Sequence, residues 1–161
     1  MDPQQRALLQ TTHAVDVGSC AKFFHLPAQH TGVYVGAAAG DYMSRLQAHG
    51  VSTSAASTGN ALSVLCGRLS FMFDLRGPSI SIDTAGSASL VATCHALDNL
   101  RASLATLATV GAAMLMMTPI SSELLWRASM LAPDGRCKTL DIAADGYVRS
   151  ELCASQVLAR V

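Results

Sequence analysis

The chain has 161 residues, a formal net charge of zero, 50% hydrophobic residues and only 14% charged residues. An average soluble domain has about 25% charged residues, so we expect this chain to bury a large face against a partner or to be a piece of a larger fold. Its length suits one domain with its own core. It has no dense basic tract, which argues against a nucleic-acid-binding protein.

The cysteines and the chain start predict an intracellular, cytoplasmic protein. The cysteines are widely spaced and form no CxxC pair, which predicts reduced, mostly buried thiols and no metal site. They are Cys20, Cys66, Cys94, Cys137 and Cys153. Met1 is followed by polar residues rather than by the apolar core of a signal peptide. The uncharged run 102–120 reaches membrane-spanning length only by including Ser and Thr, so we interpret it as a buried strand beside a helix end.

The first half of the chain predicts helices around one strand. Apolar spacing over 4–17 predicts a helix that ends at Gly18. Its expected buried face consists of Leu8, Leu9, Ala14 and Val17. The next predicted elements are a loop over 19–31, a strand over 31–37, a helix over 42–49, a loop over 50–58 and a helix over 60–73.

The second half alternates strands and helices. A short strand over 79–83 leads into a turn of small residues over 84–88 and then into a helix over 90–104. The residues available for burial on that helix are Leu90, Ala96, Leu97, Leu100 and Leu104. The remaining elements are a buried strand over 107–117, a helix over 121–131 and a turn over 133–135. This alternation predicts a layered α/β fold, and the apolar strands predict a sheet buried on both faces.

The turn between strand 79–83 and helix 90–104 has the composition of a nucleophile site. Its small residues let the backbone turn sharply, and the new helix presents free N–H groups to the turn. A helix start lowers the pKa of a thiol, and its N–H groups can hold an oxyanion. The residues from Asp83 to Ser89 read DTAGSAS, with a glycine at position 86.

Six ordered segments together resemble the ketosynthase (beta-ketoacyl synthase) domains of type I polyketide and fatty-acid synthases. Segment 83–92, DTAGSASLVA, resembles the family motif DTACSSSLVA, with Gly86 at the position of the nucleophilic cysteine. The other segments are MDPQQR at 1–6, TGVYVG at 31–36 with DY at 41–42, TGNA, GRLS and LRGPS within 58–79, MLAPDGRCK at 130–138 and DIAADGYVR at 141–149. These matches cover nearly the whole chain.

The resemblance implies a thiolase-like layered fold made of two similar α/β halves. Residues 1–161 would form a single domain that supplies most of the first half and is truncated at both ends relative to the family. The resemblance also implies a homodimer, with the nucleophile strand at the dimer contact. The residues with implied roles are Thr58, Gly59 and Asn60 in a loop near the partner's site, and Thr84, Ala85 and Ser87 as support for the oxyanion and the turn. The implied substrate partner is an acyl carrier protein with its phosphopantetheine thioester, and no other cofactor is implied.

Gly86 removes the acyl acceptor of this family, because glycine has no side chain. Family members load an acyl group onto the cysteine, and two histidines then support a decarboxylative condensation. Those histidines belong to later motifs, which none of the chain's own histidines match: His13, His25, His30, His49 and His95. Ser87 lies one residue further round the turn, Cys94 lies two helical turns along, and Cys137 matches a cysteine that is not the nucleophile. We expect none of the three to replace the missing thiol.

Three functions stay open at this point. The leading hypothesis is a ketosynthase-like protein of polyketide or fatty-acid biosynthesis that is catalytically incompetent as a free chain. The second is a non-catalytic dimerisation or interaction module for a synthase or a carrier protein. The third is a part of a longer chain that acts as a malonyl-carrier decarboxylase. Nucleotide-dependent enzymes and α/β hydrolases are disfavoured, because the sequence has no G-x-G-x-x-G, P-loop or G-x-S-x-G motif.

Overall fold

A computed structural model describes residues 1–18, 30–38 and 40–160 of the chain. Within these ranges the helices are α1 (Pro3–Gly18), α2 (Tyr42–Ala48), α3 (Ser54–Asn60), α4 (Leu62–Met72), α5 (Ala88–Arg101) and α6 (Ile120–Arg127). The strands are β1 (Thr31–Ala37), β2 (Ser79–Ile82), β3 (Leu107–Met114) and β4 (Leu152–Ala159). A short 3-10 turn, Ala85–Ser87, joins β2 to α5. The predicted α/β alternation is confirmed.

The strands form one mixed sheet with the order β2-β1-β3-β4. Strand β1 is parallel to β2 on one side and to β3 on the other, while β4 runs antiparallel to β3. Tyr34 lies in register with Ile80 of β2 and with Val110 of β3. Because β1, β2 and β3 run in the same direction, their carboxyl ends meet at one edge of the sheet. The 3-10 turn begins at this edge.

Helices cover the two faces of the sheet unequally. On one face, α1 and α4 pack Leu8, Leu65 and Leu69 against Val33 and Val35 of β1. These residues are buried, as the β-branched pattern of β1 predicts.

On the other face, α5 packs with its buried side against β1 and β3. Small residues Ala92 and Ala96, together with Leu100, contact Tyr34 and Val110. The buried Tyr34 hydroxyl accepts a hydrogen bond of 2.7 Å from Asn99 Nδ2 of α5, which satisfies its polar end. Alanines on this side of α5 allow the helix to lie close to the sheet.

Gly36 of β1 permits the closest approach between the sheet and α5. A Cβ atom at Gly36 would lie 2.6 Å from the carbonyl carbon of Ala88 and 2.6 Å from the nitrogen of Ser89. Both atoms belong to the backbone and cannot rotate away. The glycine therefore fixes the start of α5 directly over the carboxyl end of β1.

The buried side of α1 differs from the prediction, because it is largely polar. Leu8 is buried as expected, but Ala14 is exposed and Val17 is 62% exposed. Buried Gln5 donates from Nε2 to the carbonyl oxygens of Thr58 (3.4 Å) and Ala61 (3.3 Å). The other buried residues of α1 are Gln4, Thr12 and Asp16. The spacing of apolar residues does not predict a helix face whose buried residues are polar and hydrogen-bonded.

The predicted burial on α5 is confirmed for Ala96 and Leu100. Leu90, Leu97 and Leu104 are instead 70%, 37% and 61% exposed, and Ala92, which was not predicted, is fully buried. Ala92 and Ala96 lie on the inner side of α5 against the sheet, and Leu100 is buried there as well. Leu90 lies on the outer side of α5, where nothing in the described part of the chain covers it, and Leu104 lies beyond the end of the helix.

Several predicted boundaries are also wrong. The predicted loop over 50–58 contains α3, which is separated from α4 by Ala61 in an extended conformation (φ −71°, ψ 128°). Strand β3 ends at Met114, α6 ends at Arg127, and β4 was not predicted at all. Burial on both faces holds for β1 and β3 but not for β2, which is partly exposed. Most of the predicted loop over 19–31 lies outside the described residues.

The cysteines are less buried than predicted. Cys66 is buried and Cys153 is half-buried, but Cys94 and Cys137 are exposed. These four are free thiols, and Cys20 lies outside the described residues. Across the described ranges, no helix is long and apolar enough to cross a membrane.

We predict that Gly36→Ala lowers the free energy of unfolding by about 2 kcal/mol, because overpacking against fixed backbone atoms costs about 1–3 kcal/mol. Gly67→Ala is the matched control: a Cβ at Gly67 meets nothing within 4 Å in helix α4, so it should raise stability by about 0.5–1 kcal/mol. Urea unfolding followed by circular dichroism measures both. Equal stability of the two variants would contradict the close approach.

Candidate functional site

A cavity of about 440 Å³ lies at the edge of the sheet where the parallel strands end. It is lined by residues 36–38 after β1, residues 112–114 of β3, Ala85, Gly86, Ala88 and Ser89 at the start of α5, Leu125 of α6, and residues 147–150 with Leu152. Ligand sites of α/β proteins are commonly found beyond the carboxyl ends of the strands. The volume falls within the range of about 300–1,000 Å³ that is typical of small-molecule sites.

Gly86 lies in the wall of this cavity. A Cβ built at Gly86 meets no heavy atom within 4 Å, and its φ is not in the left-handed region. The backbone at this position therefore accepts any L-residue, and the space that a side chain would fill is open. The local geometry does not require a glycine here.

The strained residue of the turn is the neighbouring Ala85, which has φ +55°. A left-handed conformation costs a non-glycine residue about 1–2 kcal/mol. The Asp83 carboxylate accepts a hydrogen bond of 3.1 Å from the Ala85 N–H and holds the turn in this shape. Such strain is concentrated at functional sites, where the surrounding structure maintains it.

Thr84 and Ser87 stabilise the turn and do not line the cavity. The Ser87 hydroxyl lies 2.9 Å from both the carbonyl oxygen and the side-chain oxygen of Thr84. Its donor is therefore used within the turn. Of the residues predicted for this site, the structure brings Ala85 and Gly86 to the cavity and uses Thr84 and Ser87 as local support.

Thr58, Gly59 and Asn60 do not share the cavity. They lie in α3 rather than in the predicted loop, because Ser54–Asn60 forms a helix that packs beside the chain start. The Gly59 carbonyl accepts a 2.7 Å hydrogen bond from the Asp2 N–H, and a Cβ at Gly59 would lie 2.9 Å from Met1 Cα. Asn60 donates from Nδ2 to the Ala56 carbonyl at 2.6 Å. Their approach to a partner stays a prediction.

The other candidate nucleophiles and bases that the structure describes are not among the residues that line the cavity, and His25 lies outside the described residues. Cys94 is exposed on α5, and Cys137 Sγ accepts a 3.2 Å hydrogen bond from the Val148 N–H. His13 stacks on Phe73, with ring centroids 6.4 Å apart. Of the histidines that the structure describes, none lines the cavity. In the part of the chain that the structure describes, no group of His, Cys, Asp and Glu could hold a metal ion.

Part of the cavity wall comes from the segment 128–151, which no sequence pattern predicted. The segment has little regular structure, but Tyr147, Val148, Arg149 and Ser150 line the cavity. The only sequence signal was the GYVR motif at 146–149, which shows no helical or strand periodicity.

Lys138 holds this segment in shape. Its Nζ lies 2.7 Å from an oxygen of Asp145 and 3.1 Å from an oxygen of Asp134. The hydrogen bond that Lys138 donates to Asp145 raises the pKa of Lys138, and the one that it donates to Asp134 lowers the pKa of Asp134. One ammonium group thus joins two acidic residues that are 11 positions apart, and it closes the segment into a compact loop.

The comparisons with known proteins agree with this architecture. The family model described as the beta-ketoacyl synthase, N-terminal domain, matches residues 1–161. The chain belongs to this family. It is a ketosynthase-like domain with a thiolase-like fold.

Two curated relatives are polyketide synthases. The chain is 40% identical over 160 residues to the polyketide synthase component of the lovastatin nonaketide synthase of Aspergillus terreus, covering 98% of this chain and 5% of that protein. It is also 40% identical over 164 residues to a phenolphthiocerol/phthiocerol polyketide synthase of Mycobacterium tuberculosis, covering 100% of this chain and 8% of that protein. The chain therefore spans less than a tenth of these relatives.

Solved ketosynthases share the fold of the chain. The ketosynthase from module 6 of the bacillaene synthase of Bacillus subtilis 168 matches with a TM-score of 0.85 and 36% identity. An oxazolomycin ketosynthase domain from Streptomyces albus matches with a TM-score of 0.82 and 32% identity. The chain is covered to 100% and 99%, but it spans only 26% and 28% of these two structures.

We predict that Lys138→Met accelerates tryptic cleavage after the exposed Arg136, because the segment loses the cation that joins its two acidic residues. Mass spectrometry of the fragments measures the rate. Arg127→Met is the control, since it removes only an exposed ion pair to Glu123 on α6, and exposed pairs contribute little. Equal rates in the two variants would show that Lys138 does not hold the segment.

The ion pairs of Lys138 should make the shape of this segment depend on pH. The pKa of Asp134 is lowered, so the stability that its ion pair gives to the segment is fully present above the ordinary pKa of about 4. This stability is lost only as pH falls through the pKa of Asp134 in the folded protein. The pKa of Lys138 is raised, so the stability that its ion pairs give to the segment is fully present below the ordinary lysine pKa of about 10. This stability is lost as pH rises through the pKa of Lys138 in the folded protein. The fluorescence of Trp126, the sole tryptophan and next to the segment, should stay constant between about pH 5 and pH 9.

Proposed function

We propose that this chain is a ketosynthase-like protein of polyketide or fatty-acid biosynthesis that cannot perform the condensation as a free chain. The observation that carries the proposal is Gly86, which lies in the cavity wall where β2 leads into α5. The turn around it keeps the strained backbone and the helix start, but no side chain is present to accept an acyl group. Such a site has the turn and the helix start but lacks a nucleophile.

The other residues of the cavity support the same proposal. Among the described residues, the lining has no cysteine and no histidine, and Ser89 near the turn has no base beside it there. A serine needs an adjacent general base to become a nucleophile. An acyl group could therefore enter the cavity but would not be attached there.

We predict that the purified chain takes up no stable label from a carrier protein loaded with a radioactive acyl thioester. Gly86→Cys should supply a thiol that reacts quickly with iodoacetamide, because the start of a helix lowers the pKa of a thiol. Gly67→Cys is the control, since it places a thiol in open space within α4 rather than at a helix start. Neither variant is expected to form a carbon–carbon bond. Stable loading of the unmodified chain would overturn the proposal.

A second candidate function, an interaction module, is favoured by the exposed edge of the sheet. Strand β2 pairs only with β1, and no strand of the described ranges lies along its other edge. Its first residues, Ser79 and Ile80, are exposed. An open strand edge can pair with a strand of a second chain. We propose that this edge is where a second copy of the chain binds.

We predict that light scattering detects a dimer of the chain and that Ile80→Lys shifts it to a monomer, because a lysine at an exposed edge opposes strand pairing. Val51→Lys is the control, since Val51 is also exposed but lies between α2 and α3. A chain that is monomeric at every concentration would remove the interaction module and would leave the loading experiment unaffected.

A further inference from the structure

The side of α5 that faces away from the sheet carries a stripe of exposed apolar residues. Leu90, Cys94 and Leu97 are exposed and follow one another at spacings of four and three residues, which places them on one side of a helix. This outer stripe lies opposite the side of α5 that is buried against the sheet. The buried side consists of Ala88, Ala92, Ala96 and Leu100.

The outer stripe has the spacing of a seam between two paired helices. Leu90 and Leu97 are seven residues apart, which is the repeat of side chains that interlock between two helices. Cys94 between them is smaller, so a second helix can lie close to the middle of α5. Apolar residues that line up on one exposed side, rather than lying singly, indicate an interaction surface.

Charged groups lie only at the two ends of this surface. From residue 84 to residue 97 the chain has no Asp, Glu, Lys or Arg. Asp83 precedes α5, while Asp98 and Arg101 lie near its end, and all three are exposed. Asp98 and Arg101 form an exposed ion pair of 3.8 Å, which contributes little to stability. These charges therefore stay available to a partner that lies along the outer stripe.

The positions of the charges fit a second copy of the chain whose α5 runs antiparallel to the first. In that orientation Asp98 approaches the partial positive charge at the start of the other α5, and Arg101 approaches Asp83 of the second copy. A parallel pair would instead place each charge beside the same charge of the other copy, which is unfavourable. A twofold axis beside Cys94 brings Leu90 of each copy to Leu97 of the other.

We propose that the outer stripe of α5 binds the outer stripe of a second copy in an antiparallel pair, with Cys94 of both copies beside the twofold axis. This surface lies on a different element from the β2 edge, and it needs neither a nucleophile nor a carrier protein.

The contact is small, because each copy contributes three apolar side chains of one helix, whereas stable interfaces bury about 1,200–2,000 Å². The pair therefore forms in concentrated solution. In dilute solution it is not populated, so the light-scattering result expected for Ile80→Lys is unchanged.

Chemical cross-linking of the full chain through its own thiols tests this pairing. A short bismaleimide is added over a series of chain concentrations, and mass spectrometry identifies the linked peptides. A link between Cys94 and Cys94 can form only between two copies, and its yield should rise with concentration. Links between two copies of Cys137, which is also exposed, measure chance encounters. The Cys94 link should exceed them about tenfold or more, since a tenfold preference needs only about 1.4 kcal/mol.

Substitutions on the outer stripe separate pairing from thiol reactivity. Leu97→Glu should reduce the Cys94 link to the yield of chance encounters, because it places two carboxylates at the apolar seam. Leu124→Glu is the control, since Leu124 is an exposed leucine of α6, and it should leave the link unchanged. If Leu97→Glu fails to fold, as judged by circular dichroism, Leu90→Glu gives the same test. A glutamate at Leu90 lies in the first turn of α5, where a negative charge is favourable to the helix.

Three results would overturn the proposal: a Cys94 link no more frequent than the Cys137 link, a yield that does not depend on concentration, or an unchanged yield in the folded glutamate variants of the stripe. In concentrated solution Ile80→Lys should keep the Cys94 link, because the two surfaces are separate, and loss of the link in that variant would also contradict the proposal. The carrier-loading experiment is unaffected by any of these results. Failure of the α5 pairing is therefore distinguishable from failure of the ketosynthase-like assignment and of the β2 edge.

Discussion

The site depends on one contact, the packing of the start of α5 on the end of β1 at Gly36. With no Cβ at Gly36, the backbone of Ala88 and Ser89 comes within the distance that a methyl group would occupy. This contact places the helix start at the carboxyl edge of the sheet. The strained Ala85 and the open Gly86 are then held between two rigid elements, β2 and α5. The cavity lies beside this turn, at the carboxyl ends of β1 and β3.

The opposite face of the sheet is held differently, through hydrogen bonds as well as apolar contacts. The Arg68 side chain donates a 2.8 Å hydrogen bond to Gln5 Oε1, and Gln5 in turn reaches the backbone at the junction of α3 and α4. Thr12 meets Ser155 of β4 with the two hydroxyl oxygens 3.0 Å apart. Each buried polar group that is satisfied in this way avoids the cost of an unpaired donor or acceptor. The chain start is thereby fixed beside helices that are distant in sequence.

The motifs of the sequence predicted the family, the order of most elements and the place of the turn at Gly86. Predictions from local sequence patterns were wrong where tertiary contacts determine which residues are buried. Leu90 reads as a core residue, yet it is 70% exposed, because it lies on the side of α5 that faces away from the sheet. Strand β4 and helix α3 lack a clear apolar period, since each is stabilised partly by polar and backbone contacts. Arg149 was visible only as part of a motif and not as the charge of a cavity.

The sequence by itself determined the α/β class, the ketosynthase resemblance and the missing side chain at position 86. These follow from residue identity and short-range pattern, which need no knowledge of distant contacts. Only the tertiary structure showed that Gly86 has open space around it and that Arg149 lines the same cavity. It also showed that the Ser87 hydroxyl donates a hydrogen bond to the Thr84 carbonyl oxygen. The cavity brings together segments that are far apart in the chain and meet only when the sheet has formed, whereas the Ser87–Thr84 contact depends on the backbone shape of the turn.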